Sequence, residues 1–395
     1  MRAFRLSVLL AVAAAVAVTV TGGAAASTTG QASAVVGHVY VDDNTAPANS
    51  VAGFDRHADG SLTPIPGSPF AVGGSGTGHA DASQGSLQLS ADGRYLLAVD
   101  AGSNQISVLR IKPDGTLQSA AGSPVASGGV DPVSITVHDG LVYVANAGPG
   151  TTLGDTNYTG FTLNSGGQLR AIAGSTYVLP NDSKPGQVLF NGDGTRLAGT
   201  RIATSEIDSF TVGGDGRLTL APGSPFDAQA FSPAQGFGQL GSEFNPVSPD
   251  ELFVSDAHTA GGGAAFPGLV SSFIDGPDGI LSAVGAPVAN DGGASCWIEI
   301  SHDGRFLFVV NTASASISSY SIGNGGTLTF LHSTGPGEIG AGAEDARLAP
   351  DGKTLWVVES GTNAVTGFTV DGGDLTPLSA AGGPLGAAPS GIVVN

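Results

Sequence analysis

The sequence predicts an all-β protein, a seven-bladed β-propeller whose blades are four-stranded antiparallel sheets. Three observations predict it. A strand-turn-strand unit recurs seven times, glycine-containing turns separate the predicted strands, and the last segment of the chain has the pattern of a missing first strand. A repeat of roughly 20 to 50 residues is typical of solenoids and propellers.

The repeat is clearest in the second predicted strand of each unit, where one position is always apolar. Consecutive members of this apolar series are 46 to 57 residues apart. The series is Val39, Leu96, Val142, Leu197, Leu252, Leu307 and Leu355. The turn before the strand is Asp-Gly in five units, as at Asp303-Gly304. Because such turns need positive φ, which glycine adopts at little cost, this pattern predicts β-hairpins.

The two ends of the repeat region predict how the ring closes. The first unit begins directly with a second strand around Val39, and the chain ends with residues 389–395, which have the pattern of a first strand. We therefore expect the C-terminal strand to complete the N-terminal blade and remove the open edges that a solenoid would have to cap. Segments such as Gly122-Ser-Pro124 follow the last strand of a unit, and we interpret them as linkers because proline stops strand pairing.

The N-terminus has the pattern of a secretory signal. Arg2 and Arg5 precede an apolar run over residues 6–20, and Ala24-Ala25-Ala26 offers a cleavage site. We expect a signal peptide over residues 1–26, a flexible segment over 27–35 and one propeller domain over 36–395, in a secreted, extracellular protein. The run is shorter than a membrane-spanning helix requires, so we expect no membrane insertion.

The amino-acid composition limits the kinds of partner and site that the protein can have. The formal net charge of −19 makes a nucleic-acid partner improbable. The single cysteine, Cys296, excludes an intramolecular disulfide. The sequence has no H-E-x-x-H motif, no cysteine pair and no G-x-S-x-G elbow. We expect a monomer that binds a small molecule, with no metal and no cofactor.

Runs of strand residues resemble a known family. Residues 141–146 (Leu-Val-Tyr-Val-Ala-Asn) and 303–311 are similar to the Tyr-Val-x-Asn repeats of lactonase-type seven-bladed propellers, which include one kind of 6-phosphogluconolactonase and the carboxymuconate cyclases. The likeness covers residues 36–395, and segments such as 184–188 resemble a secreted bacterial branch. The resemblance implies a lactonase with a histidine, an arginine and a glutamate at the mouth of the channel. The opening strands at 85–89 and 186–189 contain no histidine.

A polar residue stands four positions after each member of the apolar series, which places it at the end of a second strand. This polar series is Asp43, Asp100, Asn146, Arg201, Asp256, Asn311 and Glu359. Such residues stop strands and bond to nearby backbone, which is one interpretation. The other is a rim around a pocket, in which Arg201 is catalytic by binding a substrate carboxylate or an oxyanion, and Asn146, Asp256 and Asn311 bind substrate.

The starts of the innermost strands supply a second set of candidates. Gln84, Gln187, Gln239 and Trp297 could bond to and stack on a sugar-like ring, or could simply fill a narrow channel.

Three further side chains are candidates for catalysis. Glu299 and Asp345 are candidate general bases, since an acid beside an apolar channel wall has a raised pKa. His79 precedes an innermost strand and is a catalytic candidate, with an ordinary surface histidine as the alternative.

Two functions remain open, beside a third possibility of a stability-only repeat module within a larger assembly. One is a secreted hydrolase of a small lactone or sugar-like ring ester. The other is a non-catalytic propeller that binds carbohydrate, peptide or a cell-envelope partner through glycine-rich insertions at 148–157 and 257–268.

Overall fold

The computed structural model describes residues 33–148, 152–231, 237–258 and 267–395. Residues 34–395 form one compact unit, and its described residues form seven antiparallel sheets with 33 strands. The helical segments of the described residues are one turn, α1 (Ala228–Phe231), and two 3-10 turns at Ala101–Ser103 and Asn324–Gly326. The predicted signal peptide lies outside the described residues, so secretion stays a prediction.

Each sheet is one blade, and the blades are numbered here in chain order. Blade 1 contains β1 (Val35–Asp42), β2 (Ser50–His57), β3 (Leu62–Pro64), β4 (Phe70–Ala71) and the C-terminal β33 (Ser390–Val394). Blade 2 contains β5 (Leu87–Leu89), β6 (Tyr95–Asp100), β7 (Gln105–Ile111), β8 (Leu117–Ser119) and β9 (Val125–Ala126). Blade 3 contains β10 (Pro132–His138), β11 (Leu141–Asn146), β12 (Asn157–Leu163), β13 (Leu169–Ala171) and β14 (Tyr177–Val178).

The remaining four blades follow the same order. Blade 4 contains β15 (Pro185–Phe190), β16 (Arg196–Arg201), β17 (Glu206–Val212), β18 (Leu218–Leu220) and β19 (Phe226–Asp227). Blade 5 contains β20 (Phe237–Phe244), β21 (Glu251–His258), β22 (Pro267–Asp275), β23 (Leu281–Ala283) and β24 (Val288–Gly293). Blade 6 contains β25 (Ser295–Ile300), β26 (Phe306–Asn311), β27 (Ser316–Ile322) and β28 (Leu328–Ser333). Blade 7 contains β29 (Ala343–Leu348), β30 (Thr354–Glu359), β31 (Ala364–Asp371) and β32 (Asp374–Gly382).

The C-terminal strand closes the ring. β33 pairs antiparallel with β1, with Val394 opposite Val39 and Ile392 opposite Val41. It is therefore the innermost strand of blade 1, and every innermost strand contacts those of the two neighbouring blades. The predicted propeller and its closure are confirmed.

The channel surrounded by these seven strands has two different ends. At the upper end the innermost strands begin and the second strands finish. At the lower end the Asp-Gly turns join first to second strands, as between β25 and β26, where Gly304 has φ +70°.

The Gly-Ser-Pro segments are not linkers, so that prediction was wrong. In blade 2, β8 and β9 both pair with β7 on either side of residues 120–124, so they are two halves of one outer strand. Ser123 Oγ accepts a hydrogen bond of 2.8 Å from Val108 N–H and so replaces the missing ladder acceptor. Ser68 and Ser224 do the same in blades 1 and 4. The proline is tolerated because this strand is an edge that donates nothing outward.

Apolar residues between adjacent blades form the core. Between blades 5 and 6, Phe253 packs with Ile298 and Leu307, and between blades 7 and 1 the buried Trp356 packs with Val39 and Ile392. Burial on both faces explains why the middle strands are almost continuously apolar.

Candidate functional site in the central channel

The polar series after the second strands is a set of clamps inside the blades. Asp100 accepts a hydrogen bond of 2.6 Å from Ser107, and Asn311 donates one of 2.8 Å to Ser318. In each case the partner lies seven residues later, on the third strand of the same blade. Corresponding clamps are Asp43 with Ser50, Glu359 with Thr366, Asp256 with Ser271 and Asn146 with Asn157. These contacts support the structural interpretation of the series.

Within the polar series, Arg201 makes the most complete set of hydrogen bonds. Its Nε and Nη2 donate to the two carboxylate oxygens of Asp208 at 2.7 and 2.5 Å, and its Nη1 donates to Glu206 at 2.8 Å. The Tyr158 hydroxyl also donates to Asp208. Arg201 is only 4% exposed, and Asp208 is fully buried. All three nitrogens are engaged inside blade 4, which supports a structural ion pair for Arg201.

Asp256 and Gln239 form a second buried pair inside one blade. Gln239 Nε2 donates to Asp256 at 2.9 Å, and Ser271 donates to the other carboxylate oxygen at 2.8 Å. Burial raises the pKa of Asp256 to about 7 despite these two donors. The pair ties the first, second and third strands of blade 5 together.

Residues 83–85 cross the channel and form what we call the plug. Gln84 Nε2 donates to the Ile298 carbonyl at 2.7 Å, and Ile298 N–H donates back to Gln84 Oε1 at 3.1 Å. The plug backbone bonds to Gly186 of blade 4 and Ile135 of blade 3. An innermost strand presents unpaired backbone groups to the channel, and those groups need partners when buried. The Gln84 amide supplies them for blade 6.

Two more predicted residues, Trp297 and Asp345, make hydrogen bonds inside the channel. Trp297 Nε1 donates to the Ser83 carbonyl at 2.6 Å. Asp345, fully buried, accepts hydrogen bonds from the backbone N–H groups of Gly85 and Ala346. Burial raises the pKa of its carboxyl. These contacts, like those of Gln84, support the interpretation in which side chains fill a narrow channel.

Gln187 fills the channel wall in the same way. Its Oε1 accepts from both the backbone N–H and the hydroxyl of Ser242, which joins blade 4 to blade 5. Gln187 is almost fully buried.

Below the plug lies an ionic group that we call the lower cluster: Glu243 on β20, Glu299 on β25 and Arg347 on β29. Arg347 Nη1 lies 2.8 Å from Glu299 Oε2 and 3.8 Å from Glu243 Oε2. Leu348 N–H donates to the other Glu299 oxygen at 2.9 Å. The Glu243 and Arg347 side chains are 25% and 16% exposed. Since blades 5 and 7 are not neighbours, their contact places the cluster inside the channel.

Unlike Arg201, Arg347 of the lower cluster has side-chain nitrogens without a hydrogen-bond acceptor among the described residues. Among the described residues, none accepts a hydrogen bond from Arg347 Nε or Nη2. Loss of solvation, followed by the nearby Glu299 and Asp345, raises the pKa of Glu243 to about 8, although Arg347 opposes the shift. Burial acts to lower the pKa of Arg347, but Asp345, Glu299 and Glu243 together outweigh it and raise that pKa, so Arg347 stays charged.

Sequence reasoning found Glu299 and missed Glu243 and Arg347. All three occupy one column of the repeat, immediately before the residue that pairs with the apolar series. The other described blades hold neutral residues there, such as Gln88 and Leu189. The sequence signal for this cluster was a charged residue at the same repeat position in three consecutive innermost strands.

His79 stands apart from this cluster. It lies at the upper end of the channel, its side chain is 72% exposed, and its Nδ1 is 3.4 Å from Asp81 Oδ1. Within residues 33–395, leaving aside the three undescribed gaps, no group of three or more His, Cys, Asp or Glu side chains could hold a metal ion. No described helix is long and apolar enough to span a membrane.

Comparison with known proteins agrees with this architecture. Residues 251–393 match the family model described as "Lactonase, 7-bladed beta-propeller". The resemblance to lactonase-type propellers is confirmed. A search of curated proteins gave no significant match.

Solved structures extend the likeness over most of the chain. A candidate 6-phosphogluconolactonase from Bacteroides uniformis is similar with a TM-score of 0.71 and 17% identity, over 91% of this chain and 99% of that one. A candidate 6-phosphogluconolactonase from Bacteroides fragilis has a TM-score of 0.67 and 21% identity, over 91% and 98%. A periplasmic gluconolactonase from Pseudomonas aeruginosa has a TM-score of 0.67 and 18% identity, over 91% and 98%. At these identities the likeness establishes the fold alone.

Proposed function

We propose that this protein hydrolyses a small lactone or sugar-like ring ester at the lower end of its central channel. The observation that carries the proposal is the lower cluster, in which Arg347 keeps two nitrogens that donate a hydrogen bond to no described residue. The partly exposed carboxyl of Glu243 stands beside it. The lactonase family match over residues 251–393 contains Glu299 and Arg347 and supports the same chemistry.

Ring opening needs a base for water, a donor for the carbonyl oxygen and a proton for the departing ring oxygen. Glu243 takes a proton from water as the water oxygen bonds to the carbonyl carbon. Arg347 donates to the carbonyl oxygen, where negative charge develops. The ring C–O bond then breaks, and Glu243 returns the proton to the ring oxygen, which gives a hydroxy acid.

The arrangement suits these roles at neutral pH. A proton-transfer group works best when its pKa is near the working pH, and that of Glu243 is raised to about 8. Glu299 is a positioning residue, because both of its oxygens are engaged, one with Arg347 and one with Leu348 N–H.

A pH-stat assay of the full chain on a panel of γ- and δ-lactones tests the proposal. We expect Arg347→Met and Glu243→Gln each to lower kcat/KM roughly 100-fold on the accepted lactone. Arg347→Lys, which keeps the charge, serves as a second variant that preserves the fold. Arg305→Met is the matched control, because Arg305 is 68% exposed in a lower turn and should leave the rate unchanged.

A full rate in both Arg347 variants would show that the site is elsewhere. Absence of turnover on every lactone would reject the hydrolase and favour the second candidate, a non-catalytic binder of carbohydrate, peptide or envelope material. The plug supports that candidate, since Gln84 and Trp297 occupy the channel interior. The glycine-rich insertions invoked for it lie partly outside the described residues.

Export belongs to the same proposal. Arg2, Arg5 and the apolar run after them support a signal peptide. N-terminal sequencing of protein recovered from the culture medium should begin at Ser27, whereas an intact N-terminus inside the cell would reject export.

A further inference from the structure

A cavity of about 620 Å³ lies between blades 7 and 1 at the lower end of the propeller. One wall is the end of β2 and the turn that follows it in blade 1, and the other comes from β30, β31 and β32 of blade 7. This volume is in the range typical of small-molecule sites. No residue of the plug or the lower cluster lines the cavity, so it is separate from the candidate active site.

The residue immediately before the apolar series explains why this space is open. In blade 2 that residue is Tyr95, whose ring packs so closely on Gly167, in the turn between the third and fourth strands of blade 3, that no side chain would fit there. Rings from blades 1 and 6 pack on the next blade in the same way. Blade 7 has Thr354 at this position, the smallest of the seven residues, and the space beside it is the cavity.

Arg56 is the buried cation of the cavity. The residue is only 7% exposed, and its Nε is buried with no hydrogen-bond partner among the described residues. Its Nη2 donates to the backbone oxygens of Val36 and Asn395, at 3.4 and 3.3 Å. Both bonds are long, and the Asn395 oxygen already accepts from a backbone N–H of β1. The guanidinium group therefore keeps donors that no described residue uses.

Two other described arginines are as buried as Arg56, and each faces a buried carboxylate. Arg196 Nε lies 4.0 Å from Asp275 Oδ2, and Arg201 Nη2 lies 2.5 Å from Asp208 Oδ1. Among the described residues, no aspartate or glutamate pairs with Arg56. A charge taken out of water is costly unless an opposite charge compensates it. A buried arginine that lacks a carboxylate and lines an open cavity indicates that an anion binds there.

The rest of the lining is apolar inside and balanced in charge at the rim. Leu378 contributes apolar surface, as does Val36, which is 48% exposed. At the rim, Asp59 and Asp351 each accept a hydrogen bond from a backbone N–H of their own turn, and Lys353 adds a positive charge. The interior therefore combines one cation with an apolar surface.

We propose that this cavity binds a small organic carboxylate with an aromatic or alicyclic body. The carboxylate accepts charge-assisted hydrogen bonds from the guanidinium group of Arg56. The body of the molecule covers Leu378 and Val36 and occupies the space that a ring fills between other blades. An inorganic anion would leave this apolar surface exposed. Because the two sites share no residue, the inference does not depend on lactone hydrolysis.

Isothermal titration calorimetry with sodium 3-phenylpropanoate tests the site. Its amide, 3-phenylpropanamide, is the neutral match, and inorganic phosphate is the anion without an apolar body. We expect only the carboxylate to bind. Arg56→Gln should weaken its binding roughly tenfold or more, because the substitution removes the charged donor. Arg305→Gln makes the same charge change at a 68% exposed side chain in a lower turn, and it should bind like the unmodified protein.

A second variant fills the cavity and leaves Arg56 in place. Thr354→Tyr gives blade 7 the ring that Tyr95 supplies in blade 2, so it should abolish binding of the carboxylate. Thermal unfolding checks that this variant is folded and gives a second readout. The carboxylate should raise the Tm of the unmodified protein and of Arg305→Gln, and it should not raise the Tm of Thr354→Tyr.

Several results would overturn the assignment. Unchanged affinity in both Arg56→Gln and Thr354→Tyr would place the carboxylate elsewhere. An equal loss in Arg305→Gln would mean that only overall charge is sensed, and equal binding of the amide would mean that the carboxylate group is irrelevant. Binding of phosphate alone would identify an inorganic anion site. If none of the three compounds binds, the backbone oxygens around Arg56 are sufficient partners and the cavity is not a carboxylate site.

Discussion

Replacing Gln84 by alanine tests whether the plug is part of the folded core. The side chain makes two hydrogen bonds to the Ile298 backbone, of 2.7 and 3.1 Å, and it is fully buried. Its removal leaves one buried N–H and one buried carbonyl without partners, at a cost of about 1 to 3 kcal/mol each. Water can enter the vacated space and recover part of that cost, so we expect a loss of about 2 to 4 kcal/mol.

Equilibrium unfolding in urea measures this loss, with the slope checked to confirm that only stability has changed. Gln118→Ala, at an exposed position of β8, is the matched control and should change the free energy of unfolding by less than about 0.5 kcal/mol. Gln84→Glu should destabilise as well, because a carboxylate cannot donate to the Ile298 carbonyl. If the free energy of unfolding of Gln84→Ala lies within about 0.5 kcal/mol of that of the unmodified protein, the plug contributes nothing to the stability of the core, and the structural role given to Gln84 is wrong.

Three further predictions concern the channel and its walls. Arg201→Met should lower the free energy of unfolding by about 3 kcal/mol or more in urea, because it leaves the fully buried Asp208 without its cation; a change below 1 kcal/mol would contradict the clamp. Glu344→Gln should flatten the dependence of Tm on pH. The folded protein holds the Glu344 proton up to about pH 8, whereas an unperturbed glutamate releases it near 4.5, so stability should fall as pH rises through that window; an identical pH profile in the variant would refute this. Gly241→Ala should destabilise by about 1 to 3 kcal/mol, since its methyl group would collide with Gln84 Oε1, and an unchanged midpoint of unfolding would place the plug elsewhere.

The candidate site was only partly predictable. Glu299 and Asp345 were singled out because acids on innermost strands were expected to face the channel, and both do lie in its wall. Their partners could not be identified in the same way. The contact between Glu243 and Arg347 joins strands more than 100 residues apart in sequence, and only the curvature of the ring brings blades 5 and 7 together.

The role of the polar series could not be predicted from the sequence. A polar residue at one position in every blade indicated either a rim or residues that stop strands and bond to nearby backbone, and the sequence alone could not choose. The choice depends on where the side chain finds a partner, and in blade 4 the third strand supplies Asp208, whose carboxylate accepts from Arg201. The ion pair of Arg201 with Asp208 lies within one blade and does not depend on what the channel contains. The neighbouring strand therefore decided the role of Arg201.

The sequence by itself determined the architecture. Turn residues that need positive φ recur at a regular spacing, and the strands between them are apolar on both faces, so each blade is specified by local preference and burial. The ring was also readable, because the first blade lacks the strand that residues 390–394 supply. Only the tertiary structure decided what occupies the channel. The plug and the lower cluster are made by residues from different blades, and their meeting depends on how seven sheets are arranged around one axis.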